Sequence, residues 1–489
     1  MGLWLCVVFF FGSHPVAAQN LVLTPAVTAA VGRNPEALTI GDFNADGWQD
    51  VATVNSGSDD VTMLFGNGNG TFRSGISFGV GRSPMFLTSG DLNHDGKLDL
   101  VVAETGSDGI LVLLGKGNGF FEEPAFYPSG KGPTFVSLGD VDSDGDIDVV
   151  VTNSGRFGNY PPYSLSVMLN DGRGKLSQAK QFEVQDQHGL FPTGVSIADL
   201  NGDDLPELTV TWSQPSWRSP NGRVSVMKNE GHGEFVRSQD IDAGFTLSAV
   251  NQVDLDEDGH LDLITASLFT DSLKVLLQVS PGQYTKPAQL DVGFSPMAIT
   301  IADLDADGNW DLISSNRASN STSIFLGRGN GSFQSAGHFA VGGAPTSVGV
   351  EDLNGDGLPD VVTTNSDSND VSVLLSGKAM VPSINLSTDA VQFVAESLSP
   401  GQSLKLLTVS NVGLGVLKIK DVVLEGPDSQ SFSIKDGTCS GTTLPTGKLC
   451  SMHIRFAGKE SRPYHAQLTI WDNAPGGPRI VTLNGKTKG

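Results

Sequence analysis

The stretch Asp91-Leu-Asn-His-Asp-Gly-Lys-Leu-Asp99 occurs, with small changes, seven times in the chain. Every copy has acidic or amide side chains at its first, third, fifth and ninth positions, and six copies have glycine at the sixth. Successive copies start 49, 49, 59, 55, 49 and 49 residues apart. The copies begin at Asp42, Asp91, Asp140, Asp199, Asp254, Asp303 and Asp352. This near-constant period predicts a repeat architecture.

Each repeat has the pattern of a small antiparallel sheet. In the second repeat an alternating segment, Pro84–Asp91, leads into the acidic loop. The apolar runs Leu100–Glu104 and Ile110–Leu114 follow, and then the glycine-rich turn Gly115–Gly119 and a weaker strand that ends near Gly130. Four short strands between turn signals favour a four-stranded unit. Seven such units predict an all-β chain with a seven-bladed β-propeller.

The two ends of the repeat array complement each other. The seventh repeat stops after Val371–Leu375 and lacks the glycine-rich turn and the strand that follows it. The N-terminal segment Asn20–Gly32 aligns with Thr71–Gly81, which is the outer strand before the second repeat. We therefore expect the N-terminal strand to complete the seventh blade and close the ring, which would remove two exposed edges.

The chemistry of the acidic loops indicates calcium. In Asp42–Asp50, positions one, three, five and nine carry side-chain oxygens, position seven offers a backbone carbonyl, and Gly47 permits a tight bend. An all-oxygen ligand set on a flexible loop suits Ca²⁺ better than Mg²⁺. An EF-hand would need a glutamate at position twelve, where this loop has Thr53 inside an apolar strand. The pattern predicts a calcium loop on a β-hairpin, with up to seven ions per chain.

The fourth loop departs from the pattern. Asp204 replaces the glycine and Glu207 replaces the last aspartate, so this site is predicted to be the weakest or empty. The predicted metal ligands of all seven loops are Asp42, Asn44, Asp46, Trp48, Asp50, Asp91, Asn93, Asp95, Lys97, Asp99, Asp140, Asp142, Asp144, Asp146, Asp148, Asp199, Asn201, Asp203, Glu207, Asp254, Asp256, Asp258, His260, Asp262, Asp303, Asp305, Asp307, Asn309, Asp311, Asp352, Asn354, Asp356, Leu358 and Asp360.

These loops, together with Leu64-Phe-Gly-Asn-Gly-Asn-Gly-Thr-Phe72, resemble the FG-GAP/VCBS repeats, which also build the propeller of integrin α-subunits. The resemblance covers about residues 20–378. It implies a seven-bladed propeller with Ca²⁺ in the hairpin loops between the first and second strands of each blade.

The remainder of the chain has a different composition. The acidic loops stop before residue 376, and the segments that follow alternate in polarity over about seven predicted strands, which favours a β-sandwich. Leu407–Gly413 and Leu449–Phe456 resemble immunoglobulin-like domains of the choice-of-anchor and abnormal-spindle type. The predicted organisation is a signal peptide at 1–18, a propeller at 19–378, a linker at 379–383 and a sandwich at 384–489.

The N-terminus and the cysteines indicate an extracellular protein. The apolar run Met1–Gly12, followed by small residues at Val16 and Ala18, predicts a secretory signal. The run is shorter than the roughly 20 residues of a membrane span, so no transmembrane segment is expected. Cys439 and Cys450 are the two cysteines of the predicted mature chain, and they suggest one local disulfide. Two free buried thiols are the alternative.

The charge of the chain excludes one class of partner. The formal net charge is −24, and half of the acidic residues lie in the seven loops. Binding to nucleic acid through phosphates needs a basic face, so no nucleic-acid partner is expected.

The two overlong repeats indicate where a ligand could bind. Their insertions fall in Asn153–Tyr163, Gln185–Pro192 and Trp212–Arg223, which the strand order places on the face opposite the acidic loops. Aromatic and arginine side chains on loops of a rigid scaffold are frequent binding anchors. The alternative is that the insertions pack on one another and bind nothing. The candidate ligand-binding residues are Arg156, Phe157, Tyr160, Tyr163, His188, Trp212, Trp217 and Arg218.

No catalytic residues are predicted, because the sequence has no nucleophile elbow, phosphate-binding loop or zinc signature. The favoured function is a secreted or cell-surface, calcium-binding recognition or adhesion module for an extracellular protein or glycan. The alternatives are an extracellular enzyme that acts on polysaccharide and a purely structural surface protein.

Overall fold

The computed structural model describes residues 21–73, 75–155, 162–183, 190–213, 222–378, 382, 384–395, 403–413, 415–437, 439–474 and 478–487. Within these residues the chain forms β-strands and two short 3-10 segments, Arg317–Ser319 and Ser429–Ser431, and the predicted all-β fold class is confirmed. The predicted signal peptide and most of the predicted linker lie outside these residues. The chain divides into two compact units, Leu23–Gly377 and the remainder, Met1–Val22 with Lys378–Gly489.

The larger unit contains seven four-stranded sheets, which are the blades of a β-propeller. The strands of blades 1 to 3 are Pro35–Gly41, Asp50–Asn55, Asp60–Leu64 and Ile76–Gly79; Pro84–Gly90, Asp99–Glu104, Gly109–Leu113 and Ala125–Pro128; and Pro133–Gly139, Asp148–Asn153, Ser164–Met168 and Lys180–Glu183. The strands of blades 4 to 6 are Phe191–Ala198, Glu207–Ser213, Gly222–Asn229 and Phe235–Gly244; Leu247–Val253, Asp262–Ser267, Ser272–Leu276 and Ala288–Asp291; and Pro296–Ala302, Asp311–Asn316, Ser321–Gly327 and Phe333–Ala340.

Blade 7 is built from both ends of the propeller sequence. Its first three strands are Pro345–Glu351, Asp360–Asn365 and Asp370–Leu374, and its outer strand is the N-terminal segment Val27–Ala30. Val27–Ala30 pairs antiparallel with the third strand, so the predicted closure of the ring is confirmed. Because Val27–Ala30 supplies the outer strand of blade 7, this blade also has four strands, and the ring is closed at its seam.

Two further pairs of short strands accompany the blades. Leu21–Leu23 forms a two-stranded sheet with Ser376–Lys378, at the two ends of the repeat array. In blade 5, Gln278–Ser280 and Gln283–Tyr284 form a small hairpin in place of the glycine-rich turn of blades 1 to 4 and 6.

The blades pack face to face around a central channel. Second strands such as Asp99–Glu104 are buried along their whole length, because a neighbouring blade covers each face of the sheet. First strands of successive blades contact one another around the ring, and Pro345–Glu351 of blade 7 contacts Pro35–Gly41 of blade 1. The first strands therefore line the channel, and the hydrophobic core lies between the blades.

The turns between second and third strands link each blade to the next. In five of these turns an Asp or Asn in the left-handed region of the backbone accepts a hydrogen bond from the backbone N–H that leads into the following blade, at 2.8–3.0 Å. Asp and Asn tolerate this conformation better than other non-glycine residues. The acceptors are Asp59, Asp108, Asp271, Asn320 and Asn369, the last of which bonds to Asn34 across the seam.

The smaller unit contains two sheets around one hydrophobic core, which is a β-sandwich. Cys439 and Cys450 form a disulfide, as predicted. The immunoglobulin-like family of this unit stays a prediction. One sheet contains Ile384–Leu386, Ser403–Asn411, Leu449–Phe456 and Phe432–Ile434, and the other contains Ala390–Ala395, Arg479–Thr487, Pro463–Asp472, Leu417–Glu425 and Thr443–Leu444.

The closing strand generates the first prediction. Replacing Thr28 and Ala29 together by proline removes two consecutive backbone N–H groups from Val27–Ala30, so at least one bond of the ladder is lost. We expect the unfolding free energy to fall by roughly 1–3 kcal/mol, with more aggregation through the exposed edge of Asp370–Leu374. Chemical denaturation and light scattering measure both effects.

The control is the double variant with serine at the same two positions, which keeps both N–H groups. Equal stability of the proline and serine variants would contradict the closure of the ring by this strand.

Candidate metal loops and central cavity

The seven acidic loops lie on one face of the propeller. Each connects the first strand of a blade to the second, as Asp91–Asp99 does between Pro84–Gly90 and Asp99–Glu104. We call this side the loop face. The turns between second and third strands, and the connections from one blade to the next, lie on the other side, which we call the opposite face.

Backbone hydrogen bonds shape every loop in the same way. Both oxygens of the first carboxylate accept N–H bonds, from the fifth residue at 3.0–3.3 Å and from the sixth at 2.8–2.9 Å. The fifth side chain accepts the N–H of the seventh residue at 2.8–3.1 Å. The sixth residue has a positive φ in every loop, including Asp204. Side-chain-to-backbone bonds therefore define the bend in all seven copies.

The ninth residue of each loop is a buried carboxylate. Its side chain is fully buried in six loops, and Glu207 is almost fully buried in the fourth. One oxygen accepts the N–H of the second loop residue at 2.7–3.1 Å. In six loops the other oxygen accepts an N–H from the last residue of the third strand or from the segment that follows it, at 2.7–2.9 Å. The ninth carboxylate thus links the two turns of its blade on the loop face.

Burial also makes these carboxylates hard to ionise. Removal from water raises the pKa of Asp50, Asp148, Asp262 and Asp360 to about 6, and that of Asp311 to about 7, against the opposing effect of the backbone hydrogen bonds. Neighbouring aspartates of the same loop raise each pKa further. A nearby cation would therefore stabilise the charged form.

The second residue of six loops also connects its blade to the next one. Its backbone carbonyl accepts a bond from the glycine-rich turn of the following blade, as Phe43 does from Gly119 at 2.8 Å. The same bond joins Gly174 to Leu92, Gly331 to Leu255 and Gly70 to Leu353. In blades 4 and 5, the side-chain amides of Asn229 and Gln278 donate instead, to Val141 and Leu200. The order of one loop is thus coupled to the neighbouring blade.

Three loops bring carboxylates together tightly enough to hold a cation. In blades 3, 5 and 6 the first, third and ninth residues have oxygens within 4.8 Å of one another. One oxygen of Asp142 and one of Asp256 are buried without a hydrogen-bond partner among the described residues. Burial, and then repulsion from neighbouring carboxylates, raises the pKa of both side chains. A buried, unpartnered oxygen in an all-oxygen cluster fits a hard divalent ion such as Ca²⁺.

The other predicted ligands occupy the same positions in their loops. In blades 1, 2 and 7 the third residue is an asparagine, and its oxygen accepts the N–H of the fifth residue at 2.9–3.0 Å. In blade 4 the amide nitrogen of Asn201 donates to Glu207 at 2.7 Å. The contributions of the seventh-position carbonyls and the weakness of the fourth site stay predictions.

The predicted ligand-binding residues are only partly described. Arg156, Phe157, Tyr160, His188, Trp217 and Arg218 lie outside the described residues. The ring of Tyr163 lies 6.0 Å from that of Phe191. The prediction that Trp212 binds a ligand is wrong. Its side chain is fully buried in the core of blades 3 and 4, because the second strand of blade 4 continues to Ser213. Trp212 is therefore a core residue.

A cavity of about 720 Å³ occupies the central channel on the opposite face. The sequence predicted ligand-binding residues in the insertions of this face, but no site in the channel. All seven blades contribute lining residues, chiefly at the starts of their first strands. Gly155 and Ser213, which border the insertions of blades 3 and 4, also line it. Its apolar lining includes Met85, Phe86, Phe135, Phe191, Leu247 and Met297.

One sequence signal could have revealed the cavity. Met85, Phe86, Phe135 and Met297 stand at the second or third position of their first strands. Their shared feature becomes visible only when the repeats are aligned and the first strands are assigned to the channel. The rings of Phe86 and Phe135 lie 4.0 Å apart, so neighbouring blades contribute to one apolar wall.

The loop of blade 5 offers a test that separates the two kinds of carboxylate. Asp256→Asn removes a charge from a side chain with an unpartnered oxygen. In chelator the variant should therefore be at least as stable as the wild type. Its gain in stability on addition of Ca²⁺ should be smaller than that of the wild type. Asp262→Asn replaces an acceptor of two backbone N–H groups by an amide, and should cost about 1–3 kcal/mol with and without Ca²⁺. Denaturant unfolding in Ca²⁺ and in chelator measures both.

The two variants serve as controls for each other, since they remove the same charge from one loop. Identical stability changes in both conditions would contradict the assignment of separate roles.

Comparison with known proteins supports the fold and identifies the repeats. No curated protein sequence matches the chain significantly. BBS1N, in a crystal structure of its complex with ARL6DN, is 11% identical and superposes with a TM-score of 0.51, covering 73% of this chain and 98% of BBS1N. A putative 6-phosphogluconolactonase from Bacteroides uniformis has 13% identity, coverages of 66% and 89%, and a TM-score of 0.49. The periplasmic gluconolactonase PpgL of Pseudomonas aeruginosa has 15% identity, coverages of 69% and 90%, and a TM-score of 0.47.

At these identities the likeness concerns the fold alone, and the two lactonase-like structures carry no argument about activity. Among the described residues, no helix has the length and apolar character to cross a membrane. The FG-GAP-like repeat family matches residues 42–102, 91–151, 140–210, 254–314 and 303–363, which together make up more than half of the sequence. The chain therefore belongs to the FG-GAP-like repeat family.

Proposed function

We propose that the protein is a secreted or cell-surface recognition module, stabilised by Ca²⁺, that binds an extracellular protein or glycan through the opposite face of its propeller. One observation carries this proposal. The carboxylates of the loop face bond to the backbone of the propeller itself, whereas on the opposite face three exposed aromatic side chains lie on adjacent turns beside the central cavity. The exposed aromatic side chains of the loop face, Trp48, Phe120 and Trp310, belong to three different blades.

The exposed aromatic side chains belong to adjacent turns. Phe245 is 42% exposed, Phe269 55% and Phe294 64%. Phe269 lies in the turn between the second and third strands of blade 5, and the other two lie where the chain enters blades 5 and 6. We call these three residues the aromatic patch. Contiguous exposed apolar side chains are a common property of interaction sites.

Hydrogen bonds hold the turns of the aromatic patch together. The N–H of Leu268 donates to the carbonyl of Thr246 at 3.0 Å, and the N–H of Ser295 donates to Asp271 at 2.8 Å. The first bond joins the segments that carry Phe245 and Phe269, and the second joins those that carry Phe269 and Phe294. Rigid turns lose little conformational entropy when a partner binds, which favours affinity.

Calcium has a structural role in this proposal. The ions would be held by the first, third, fifth and ninth residues of the loops, and would neutralise carboxylates that burial makes costly to ionise. An ion bound with a Kd of about 10⁻⁴ M would stabilise the fold by roughly 1.4 kcal/mol per site at about 1 mM Ca²⁺. Extracellular Ca²⁺ and the disulfide of the sandwich both suit a location outside the cytosol.

The β-sandwich is proposed to act as a spacer or attachment domain of immunoglobulin-like type. We propose no enzymatic activity. The close carboxylates of the described residues lie in the metal loops, where both oxygens of the first and ninth side chains already accept backbone bonds. An enzyme that cleaves polysaccharide remains the second function that the experiment below addresses.

The test is an array of extracellular proteins and glycans, probed with the whole chain in Ca²⁺. We expect retention of a ligand without release of product, and at least tenfold weaker retention after Phe245, Phe269 and Phe294 are together replaced by serine. Truncated anchors at a binding surface cost enough free energy for such a loss.

Phe120→Ser is the matched control, since Phe120 is 56% exposed and lies in a turn on the loop face. Product release from a polysaccharide would favour the enzyme. Retention that survives the triple substitution would contradict the placement of the binding surface.

A further inference from the structure

Four hydroxyl groups in the wall of the central cavity donate to backbone carbonyls, while that of Thr246 has no partner among the described residues. Ser154 donates to the carbonyl of Pro192 at 2.9 Å, and Thr193 to that of Leu247 at 2.9 Å. Ser248 and Thr346 donate to Pro296 and Pro35 in the same way, at 2.8 and 2.9 Å. Each of these bonds joins one blade to the next. A ligand in the cavity therefore meets methyl, methylene and aromatic groups, with few free donors.

The cavity is lined by one cationic side chain, Arg317, and one anionic side chain, Glu36. The carboxylate of Glu36 accepts a hydrogen bond from the hydroxyl of Ser56 at 2.8 Å. Arg317 is half-buried and forms no ion pair with a residue that the structure describes. Its backbone is held in place, since its N–H donates to the carbonyl of Ser295 at 2.9 Å. A positively charged side chain on an anchored backbone thus borders an apolar space.

Arg317 belongs to a part of the cavity wall that also contains large apolar side chains. Leu268 and Phe269 of blade 5 line the cavity beside blade 6, which supplies Arg317 and Met297. The bond from Ser295 to Asp271 joins these two blades at this point. Glu36, the anionic residue of the lining, belongs to blade 1 and not to this part of the wall. An apolar channel with a cation on this side has the polarity of a binding site for a chain with an anionic end.

We propose that the central cavity binds a single-chain carboxylic acid, with the alkyl chain in the channel and the carboxylate at Arg317. A volume of about 720 Å³ lies within the roughly 300–1,000 Å³ typical of small-molecule sites. A glycan does not suit this wall, because its many hydroxyl groups would lose their bonds to water without replacement. The inference goes beyond the proposed function, since the aromatic patch could bind a macromolecule whether or not the cavity is filled.

The test is calorimetric titration of the whole chain in Ca²⁺ with decanoate and laurate below their micellar concentrations. We expect one saturable site and an affinity that increases about fourfold for each added methylene, the gain expected for burial of one CH₂ group. Dodecanol and dodecylamine of the same length test the headgroup. Laurate should bind at least tenfold more tightly than either of them.

Two substitutions locate the site. Arg317→Gln should lower the affinity for laurate at least tenfold and leave that for dodecanol unchanged, while the matched control Arg328→Gln, an exposed arginine in a turn on the loop face of the same blade, should change neither. Met297→Trp should abolish binding by filling the channel, and Met85→Trp replaces it if that variant is misfolded.

Three results would overturn the proposal. They are the absence of saturable binding of laurate, equal affinity for acid and alcohol, and binding that persists after a folded channel-filling substitution. The ligand array of the proposed function is independent of these measurements, so the failure of one can be told from the failure of the other.

Discussion

The structure depends on a carboxylate that is buried at the end of every acidic loop. One side-chain oxygen of Asp99 and of its equivalents accepts the N–H of the second loop residue. In six loops the other oxygen accepts an N–H from the end of the third strand or just after it. The charge gives strong acceptors for two backbone donors, but burial disfavours that charge. The remaining carboxylates of the loop increase the cost. A divalent cation would resolve this conflict, because it would favour the ionised form of all of them.

The same loops connect the blades to one another. The second residue receives the bond of the ninth carboxylate through its N–H and, in six loops, a bond from the next blade through its carbonyl. On the opposite face, turn residues such as Asp271 accept bonds from the following blade. Both faces are thus held by repeated polar contacts between neighbours. The ring therefore encloses its channel through contacts that recur from blade to blade.

Sequence reasoning predicted the parts of this architecture that recur with a fixed period. The loops reveal seven blades, and the missing strand of the last blade reveals the closure by Val27–Ala30. Trp212 was misplaced because its strand continues to Ser213, two residues into the predicted insertion, and its side chain packs in the core of blades 3 and 4. The cavity was not predicted because each blade contributes only a few lining residues, such as Met85 and Met297. The channel forms only when the first strands of all seven blades come together. The ninth carboxylate could be predicted as an oxygen ligand, but its bonds to distant backbone groups depend on tertiary structure.

We propose that the acidic loops are calcium sites coupled to the fold. The most direct measurement is the number of Ca²⁺ ions bound per chain at millimolar free Ca²⁺, obtained by equilibrium dialysis of the chelated protein with metal analysis. The account predicts six or seven ions, according to whether the fourth loop is filled. Binding of no more than one ion per folded chain would contradict it.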